Sequence, residues 1–186
     1  MAFCAAALAA TFLENRGAGA AAVSDNGITA FVNDQYALLA KGKYEELSRG
    51  VVEGLWSREP SGYHFDGVMP AAESAQRLED DLGVGAWRLR FVSLKAIGFT
   101  VLSRPDFRKS LRREAEILDA IDPDGKISTV AVVTMKGHNT GRCSIVEWER
   151  QVPVVEKDGR RLILMRGAPA VYELVHNEQW FQPVRF

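Results

Sequence analysis

Apolar side chains recur every three to four residues in the first half of the chain, which is the spacing of amphipathic helices. A first helix is predicted between N-cap residues at 24–26 and a terminating glycine, Gly42. Its apolar face consists of Ile28, Phe31, Val32, Tyr36 and Leu39. A short second helix is predicted from Lys43, and a third over 70–83. Residues 51–57 are rich in valine and fit either a helix or a strand.

From about residue 86 the pattern changes to alternating apolar and polar positions, as in strands with one buried face. Strands are predicted over 87–91, 99–102, 127–135, 143–155, 160–166, 170–176 and 179–184. Asp158-Gly159 predicts a tight hairpin turn, and the Asp-Pro-Asp-Gly sequence at 122–125 is expected to join a second hairpin. The segment 103–122 fits either a helix or the first strand of that second hairpin. Helices followed by a mostly antiparallel sheet predict an α+β fold.

Composition limits the classes of protein to which the chain can belong. The chain has 186 residues, of which 47% are hydrophobic and 25% charged, so a single globular domain can bury its core without disulfides or metals. The net charge of −1 gives no general attraction to nucleic acid or to an anionic membrane, and neither partner is expected. Cys4 and Cys143 lie in unrelated contexts, and the three histidines are scattered, so we expect no metal site and no cofactor.

The N-terminus permits two interpretations. Residues 2–13, AFCAAALAATFL, form an apolar run that is shorter than the roughly 20 residues of a membrane span but suits the core of a signal peptide. No basic residue precedes the run, and the charged residues of 14–16 interrupt it, so an alanine-rich leader stays open. We therefore separate a leader or truncated signal segment, 1–23, from a single domain over 24–186. An exported, periplasmic location is slightly favoured over a cytoplasmic one.

The stretch SGYHFDG, residues 61–67, contains a histidine and a carboxylate two residues apart. In an extended segment His64 and Asp66 would leave the same face, and such a pair can act in general acid–base catalysis. Pro60 and the two glycines of the stretch favour the other interpretation, a solvent-exposed corner between two elements.

Arg150 is a second candidate, because it falls between Trp148 and Val152 on the apolar side of a predicted strand. A buried charge is unfavourable unless it is paired. Arg150 therefore either lines a polar pocket, where it meets a carboxylate or an anionic ligand, or is turned outward by a bulge. The predicted ligand-binding residues are Arg150, Trp148 and Trp56.

Other patterns are interpreted as structural. The basic series Arg104, Arg108, Lys109, Arg112 and Arg113 predicts a solvated helix face, because it has no interleaved aromatic platform and acidic residues follow it at once. The segment 120–131 imitates part of a calcium loop but has alanine at the first and twelfth positions, which excludes that site. Nucleophile elbows and glycine-rich phosphate loops are absent from the sequence.

Three parts of the chain carry a resemblance to a known superfamily. These are FVNDQYALLAKGKYEEL at 31–47, the third helix after a loop, and the strand run that ends in YELVHNEQWF at 172–181. Over roughly 26–184 the chain resembles the nuclear transport factor 2-like superfamily, which includes ketosteroid isomerases, scytalone dehydratases and SnoaL-like polyketide cyclases. The resemblance implies N-terminal helices packed in a strongly curved, cone-shaped sheet. The segment 103–122 departs most from the pattern of the family.

The resemblance also implies alternatives for function. Tyr36 is similar in location to the first-helix tyrosine that donates to the substrate oxyanion in ketosteroid isomerases, but no motif matches their general base or protonated aspartate. The leading hypothesis is a non-catalytic domain that binds a small apolar or amphipathic molecule or a protein partner. The alternative is a cofactor-independent isomerase, dehydratase or cyclase that uses His64, Asp66 and Tyr36. A third hypothesis is a scaffold subunit that forms a homodimer through its sheet.

Overall fold

The computed structural model describes residues 27–83, 91–140 and 145–166, and all elements below lie in these ranges. The helices are α1 (Ile28–Ala40), α2 (Tyr44–Ser48), α3 (Ala71–Gly83), α4 (Arg104–Ser110) and α5 (Arg112–Ile121). The strands are β1 (Val51–Glu59), β2 (Gly62–Val68), β3 (Phe91–Ser103), β4 (Thr129–Thr140), β5 (Ile145–Lys157) and β6 (Arg160–Met165). None of the described helices is both long and apolar enough to cross a lipid bilayer. The predicted leader, both cysteines and the predicted strands after residue 166 lie outside the described residues.

The six strands form one mixed sheet in the order β2-β1-β6-β5-β4-β3. β1 and β6 run parallel, and the other neighbouring strands run antiparallel. The α+β class is therefore confirmed, although the order differs from helices followed by a sheet: β1 and β2 precede α3, and α4 and α5 lie between β3 and β4. The Asp158-Gly159 turn joins β5 to β6, with both residues at positive φ (52° and 71°), as a two-residue hairpin requires.

The alternation of side chains along the strands produces two apolar cores, one on each face of the sheet. On one face Val152, Val154 and Ile163 belong to a core cluster with α1 and α2 residues such as Val32 and Leu47. On the other face the adjacent strand positions belong to a cluster with α4 and α5; its buried members include Val155, Leu164, Val132, Phe107 and Leu118. We call these the α1 face and the α5 face of the sheet.

The helix predictions for the first half of the chain are confirmed. α1 ends at a reversal in which Gly42 has φ 68°, the left-handed conformation that glycine adopts without strain. The predicted N-cap residues 24–26 lie outside the described residues, and the N-cap of α1 is Gly27. The open segment 51–57 is strand, because its valines alternate between the two faces of the sheet as part of β1.

Two predictions for connecting segments are wrong. Residues 61–67 do not form a corner: Gly62 begins β2, which pairs antiparallel with β1 in a hairpin. The turn at 122–125 does not join two strands; it joins α5 to β4, whose antiparallel neighbours are β3 and β5. The segment 103–122 forms two helices because Leu111, Ala115 and Leu118 recur at helical spacing and are buried together on the α5 face.

Candidate functional site

The candidate site lies where the pairing between β5 and β6 ends. The hairpin between them contains four residue pairs, from Lys157 with Arg160 to Val154 with Ile163. Beyond Ile163, β6 stays paired with β1, whereas β5 stays paired with β4. A cavity of about 290 Å³ is lined by the ends of both strands in this region and by residues of α1, α2 and α5.

The wall of this cavity combines an apolar surface with a small set of polar groups. The apolar residues come from both helices and strands; they are Leu39, Leu47, Val51, Leu111, Val152, Pro153, Ile163, Leu164 and Met165. The polar residues are Gln35, Tyr36, Glu114, Glu149, Arg150, Gln151 and Arg166. A concave, largely apolar site with a few polar groups is the usual form of a small-molecule binding site.

Tyr36 contributes a neutral hydroxyl to the cavity. Its position on the apolar side of α1 turns the ring toward the core cluster of the α1 face, against which it packs. Burial raises the pKa of the Tyr36 hydroxyl, and the positive charge of Arg150 lowers it by a smaller amount. The hydroxyl therefore stays protonated at neutral pH and can donate a hydrogen bond.

Arg150 lies on the same wall, because it occupies the same side of β5 as Val152 and Val154. Its positive charge lowers the pKa of the Tyr36 hydroxyl, by less than burial raises it. In β5 its antiparallel partner is Met135, a fully buried residue of β4. Of the two alternatives that the sequence leaves open, the pocket position is the one observed. Whether Arg150 binds a ligand stays a prediction.

Another part of the cavity wall carries an ion pair between Glu114 and Arg166. Glu114 is the buried acidic residue of α5, and its Oε1 accepts a hydrogen bond from Nε of Arg166, which follows β6. Glu149 also reaches this part of the cavity but is an exposed residue. The charges of Glu114 and Arg166 offset each other, whereas Glu149 adds a negative charge to this wall.

The structure does not bring His64 and Asp66 to Tyr36. Both are exposed residues of β2, the edge strand next to β1. Asp66 Oδ1 accepts a hydrogen bond from the Ser57 hydroxyl at 3.1 Å, and His64 pairs with Ser57 across the hairpin. Neither residue lines the cavity. Both residues lie in an extended strand and beside Ser57, but they are separated from the described site.

The two tryptophans of the predicted ligand site have different positions. Trp56 packs against Phe65 with ring centroids 4.9 Å apart and belongs to the core of the α5 face, so it does not line the cavity. The guanidinium of Arg113 lies over the same Trp56 ring and also over Tyr63. Trp148 pairs with Gly137 between β5 and β4; its side chain lies outside the described part of the chain.

The basic series on α4 and α5 is only partly solvated. Lys109 and Arg112 are exposed, as predicted, and Arg108 is exposed while paired with Asp119. Arg104 is different: only 18% of its side chain is exposed, and it bonds to Asp119 and Asp122. The prediction of one solvated face is therefore wrong for Arg104. This residue begins α4, and its side chain is directed to the acidic residues at the end of α5.

The sequence pattern does not single out Gln35, Glu114 or Arg166 as site residues. Gln35 could have been suggested by its place beside Tyr36, whereas Glu114 lies in the segment whose structure the sequence leaves open. Within the ranges that the structure describes, no three His, Cys, Asp or Glu side chains are grouped to hold a metal ion.

Comparison with known proteins found no matching family model, curated protein or solved structure. Function is therefore inferred from the site itself.

Proposed function

We propose that this protein binds a small amphipathic molecule in the cavity between β5 and β6 and catalyses no reaction on it. The observation that carries the proposal is the cavity wall, where Leu39, Leu47 and Val51 form an apolar surface beside the donors of Tyr36 and Arg150. Burial of apolar ligand surface supplies affinity, at roughly 25 cal/mol per Å². The few polar groups supply orientation.

Ligand binding is the better supported of two hypotheses. The other is acid–base catalysis by His64, Asp66 and Tyr36. General acid–base chemistry needs a base within hydrogen-bond reach of the reacting atom. His64 and Asp66 are exposed on β2, and neither lines the cavity to which Tyr36 contributes. The carboxylate of Glu114, which does line it, is engaged by Arg166. An isomerase, dehydratase or cyclase that combines His64, Asp66 and Tyr36 is therefore the weaker hypothesis.

We propose further that the domain is nuclear transport factor 2-like, with the sheet curved into a cone. The support is the order of elements, in which α1, α2, the β1–β2 hairpin and α3 precede the remaining strands. The pair α4 and α5 between β3 and β4 is the segment in which the chain departs from that pattern. A dimer through the sheet is less well supported, since these two helices cover apolar residues of the α5 face.

The test of binding uses phenylnaphthylamine, a neutral fluorescent probe, on the wild-type protein and on Val152→Phe. Val152 is buried on the cavity wall, and a phenyl ring there occupies the space that the ligand needs. We expect the wild type to bind the probe. The variant should bind it at least about tenfold more weakly, because the loss of roughly 55 Å² of apolar contact corresponds to a tenfold loss of affinity.

Ile97→Phe is the matched control, because it adds a ring at an exposed position of β3 and should leave probe affinity unchanged. Thermal unfolding checks that both variants fold, and Leu39→Phe, on the helical side of the cavity, replaces Val152→Phe if the latter does not. If the wild type binds no probe, or if the filled variants bind it as tightly as the wild type, the proposal fails.

A further inference from the structure

Gln35 of α1 brings an unmatched hydrogen-bond acceptor to the cavity wall. The residue lines the cavity, and its Oε1 is buried without a hydrogen-bond partner among the described residues. Leaving a buried acceptor unmatched is more unfavourable than a formed hydrogen bond is favourable. Buried oxygens of this kind therefore receive a hydrogen bond from another molecule, which is either water or a ligand.

Contact with Gly50 fixes the position of the Gln35 amide. A methyl group on Gly50 would lie 2.5 Å from Gln35 Oε1 and 2.6 Å from its Cδ, so the amide packs directly against this glycine. The backbone groups of Gly50 are already used, because its N–H donates to the Leu47 carbonyl and its carbonyl accepts from the Ile163 N–H. Gly50 therefore has no free donor to offer Oε1.

The contact between Gln35 and Gly50 is bordered by apolar residues of the cavity wall. Leu47 and Ile163, the hydrogen-bond partners of Gly50, both line the cavity. Val51, the next residue along the chain, lines it as well. The side chains of these three residues cannot form hydrogen bonds, so the Gln35 amide adds an acceptor to an apolar part of the wall.

The size of the cavity determines what can satisfy Gln35 Oε1. A volume of about 290 Å³ is large enough for several water molecules, and water can donate to Oε1 as long as no ligand is bound. A ligand that fills the cavity displaces this water. The ligand must then donate a hydrogen bond itself, or it leaves the oxygen unmatched and loses affinity.

We propose that Gln35 determines the specificity of this cavity, because its Oε1 accepts a hydrogen bond from a hydroxyl or N–H group on an apolar ligand. This inference rests on the proposed function and names a chemical group that the ligand carries. A hydrocarbon of the same shape binds more weakly, since it covers Oε1 without offering a donor. Phenylnaphthylamine meets the requirement through its single N–H group.

The test compares three naphthalenes, substituted at the same ring position, by their displacement of phenylnaphthylamine. Naphthol can donate and accept, methoxynaphthalene can only accept, and methylnaphthalene can do neither but matches naphthol in size. Gln35→Met replaces the amide by an apolar group of similar length. We expect it to lower the affinity for naphthol about tenfold relative to methylnaphthalene. The affinity for methoxynaphthalene, relative to methylnaphthalene, should not fall.

Gly50→Ala tests the same contact without changing Gln35. Its methyl group would lie 2.5 Å from Oε1, so the amide must move, and Gly50 does not have the positive φ that would exclude alanine. We expect this variant to lose the relative affinity for naphthol as Gln35→Met does. Thermal unfolding checks that both variants fold, and the affinity of each for phenylnaphthylamine is measured first.

Gln151→Met is the matched control. Gln151 also lines the cavity, but it is an exposed residue of β5 that water can reach when a ligand is bound. The same substitution at this position should leave the relative affinities of the three naphthalenes unchanged. If naphthol loses relative affinity in Gln151→Met and not in Gln35→Met, the assignment to Gln35 is wrong.

The remaining outcomes distinguish this inference from the proposed function. If Val152→Phe weakens the binding of phenylnaphthylamine, but Gln35→Met leaves the relative affinity for naphthol unchanged, the cavity binds ligands and the inference about Gln35 is overturned. If methoxynaphthalene loses as much affinity as naphthol, Gln35 donates and does not accept, and the inference is again overturned. If no probe binds to the wild type, the proposed function fails first, and the inference fails with it.

Discussion

Arg104 holds the end of α5 to the start of α4 and to the loop that follows. Its two terminal nitrogens donate to Asp122 Oδ2 at 2.6 Å and to Asp119 Oδ1 at 2.9 Å, and the second also reaches the Asp122 carbonyl. Asp122 in turn accepts from the backbone N–H groups of Lys126 and Ile127. One carboxylate thus fixes the turn that leads into β4, and this explains why a sequence that partly imitates a calcium loop needs no cation for its shape.

This arrangement predicts a dependence of stability on pH. The backbone N–H of Ile127 holds the pKa of Asp122 below its ordinary value, and the Arg104 side chain adds to the effect. A carboxyl whose pKa is lowered by folding stabilises the folded state above its unfolded pKa, about 4, and loses that contribution as the pH falls through the folded pKa. We expect the stability difference between the wild type and Asp122→Asn, measured by urea unfolding, to be large at pH 6 and to shrink below pH 4.

Asp124→Asn is the control for this measurement, since Asp124 is an exposed residue of the same turn that pairs with Lys126. Its difference from the wild type should be small at every pH. A difference for Asp122→Asn that stays constant between pH 6 and pH 3 would show that the carboxylate is not the stabilising group.

Individual residues of the candidate site differ in how far the sequence reveals them. Tyr36 and Arg150 could be selected because a polar or charged group on an apolar periodic face is informative by itself. His64 and Asp66 could not be judged in this way, since spacing along one strand does not indicate whether the strand lies at the edge of the sheet. Both are exposed, whereas Phe65 between them packs against the core of the α5 face.

At the scale of elements, a buried carboxylate links β1 to α3. Glu53 is 1% exposed, and its Oε2 accepts a hydrogen bond of 2.7 Å from the Ser74 hydroxyl. The other oxygen, Oε1, has no hydrogen bond and lies 3.7 Å from Arg77 Nη1, which is an ion-pair distance. The backbone carbonyl of Glu53 also accepts a hydrogen bond from the backbone N–H of Met69, two residues before α3 begins. The attachment of α3 therefore depends on polar contacts as well as on Leu78 in the core.

Ser74→Ala tests that attachment. The variant removes the hydrogen bond to a carboxylate that stays buried, so we expect it to lower the free energy of unfolding by about 2 kcal/mol. Ser57→Ala is the matched control, because Ser57 donates to the exposed carboxylate of Asp66 and its loss should change stability by less than about 0.5 kcal/mol. Equal effects in urea unfolding would mean that Glu53 is not held by Ser74.

For some elements the local sequence pattern is sufficient to predict the structure. α1 and α3 have clear apolar spacing and a glycine at or just beyond the C-terminal end, and both were predictable. The segment that forms α5 was ambiguous because Ala115, Ile117 and Ile121 alternate as in a strand, while Leu111, Ala115 and Leu118 have helical spacing. Burial on the α5 face selects the helix, and that face exists only after the strands have paired.

At the scale of the whole molecule, the cavity depends on long-range pairing. The sheet consists of two halves, β2-β1-β6 and β5-β4-β3, joined through the four residue pairs of the β5–β6 hairpin. The parallel pairing of β1 with β6 joins residues more than a hundred positions apart and carries no local signal. The α+β class could therefore be predicted from the sequence, whereas the site between the two halves could not.

A titration followed by heteronuclear NMR determines whether a small molecule binds between these two halves of the sheet. Phenylnaphthylamine is added to the uniformly labelled protein, and the amide resonances are followed. We predict saturable shifts concentrated in 149–153 of β5 and 163–165 of β6, which line the cavity together with Tyr36. Shifts confined to the β1–β2 hairpin around Tyr63, or no saturable shifts at all, would show that the cavity does not bind the probe.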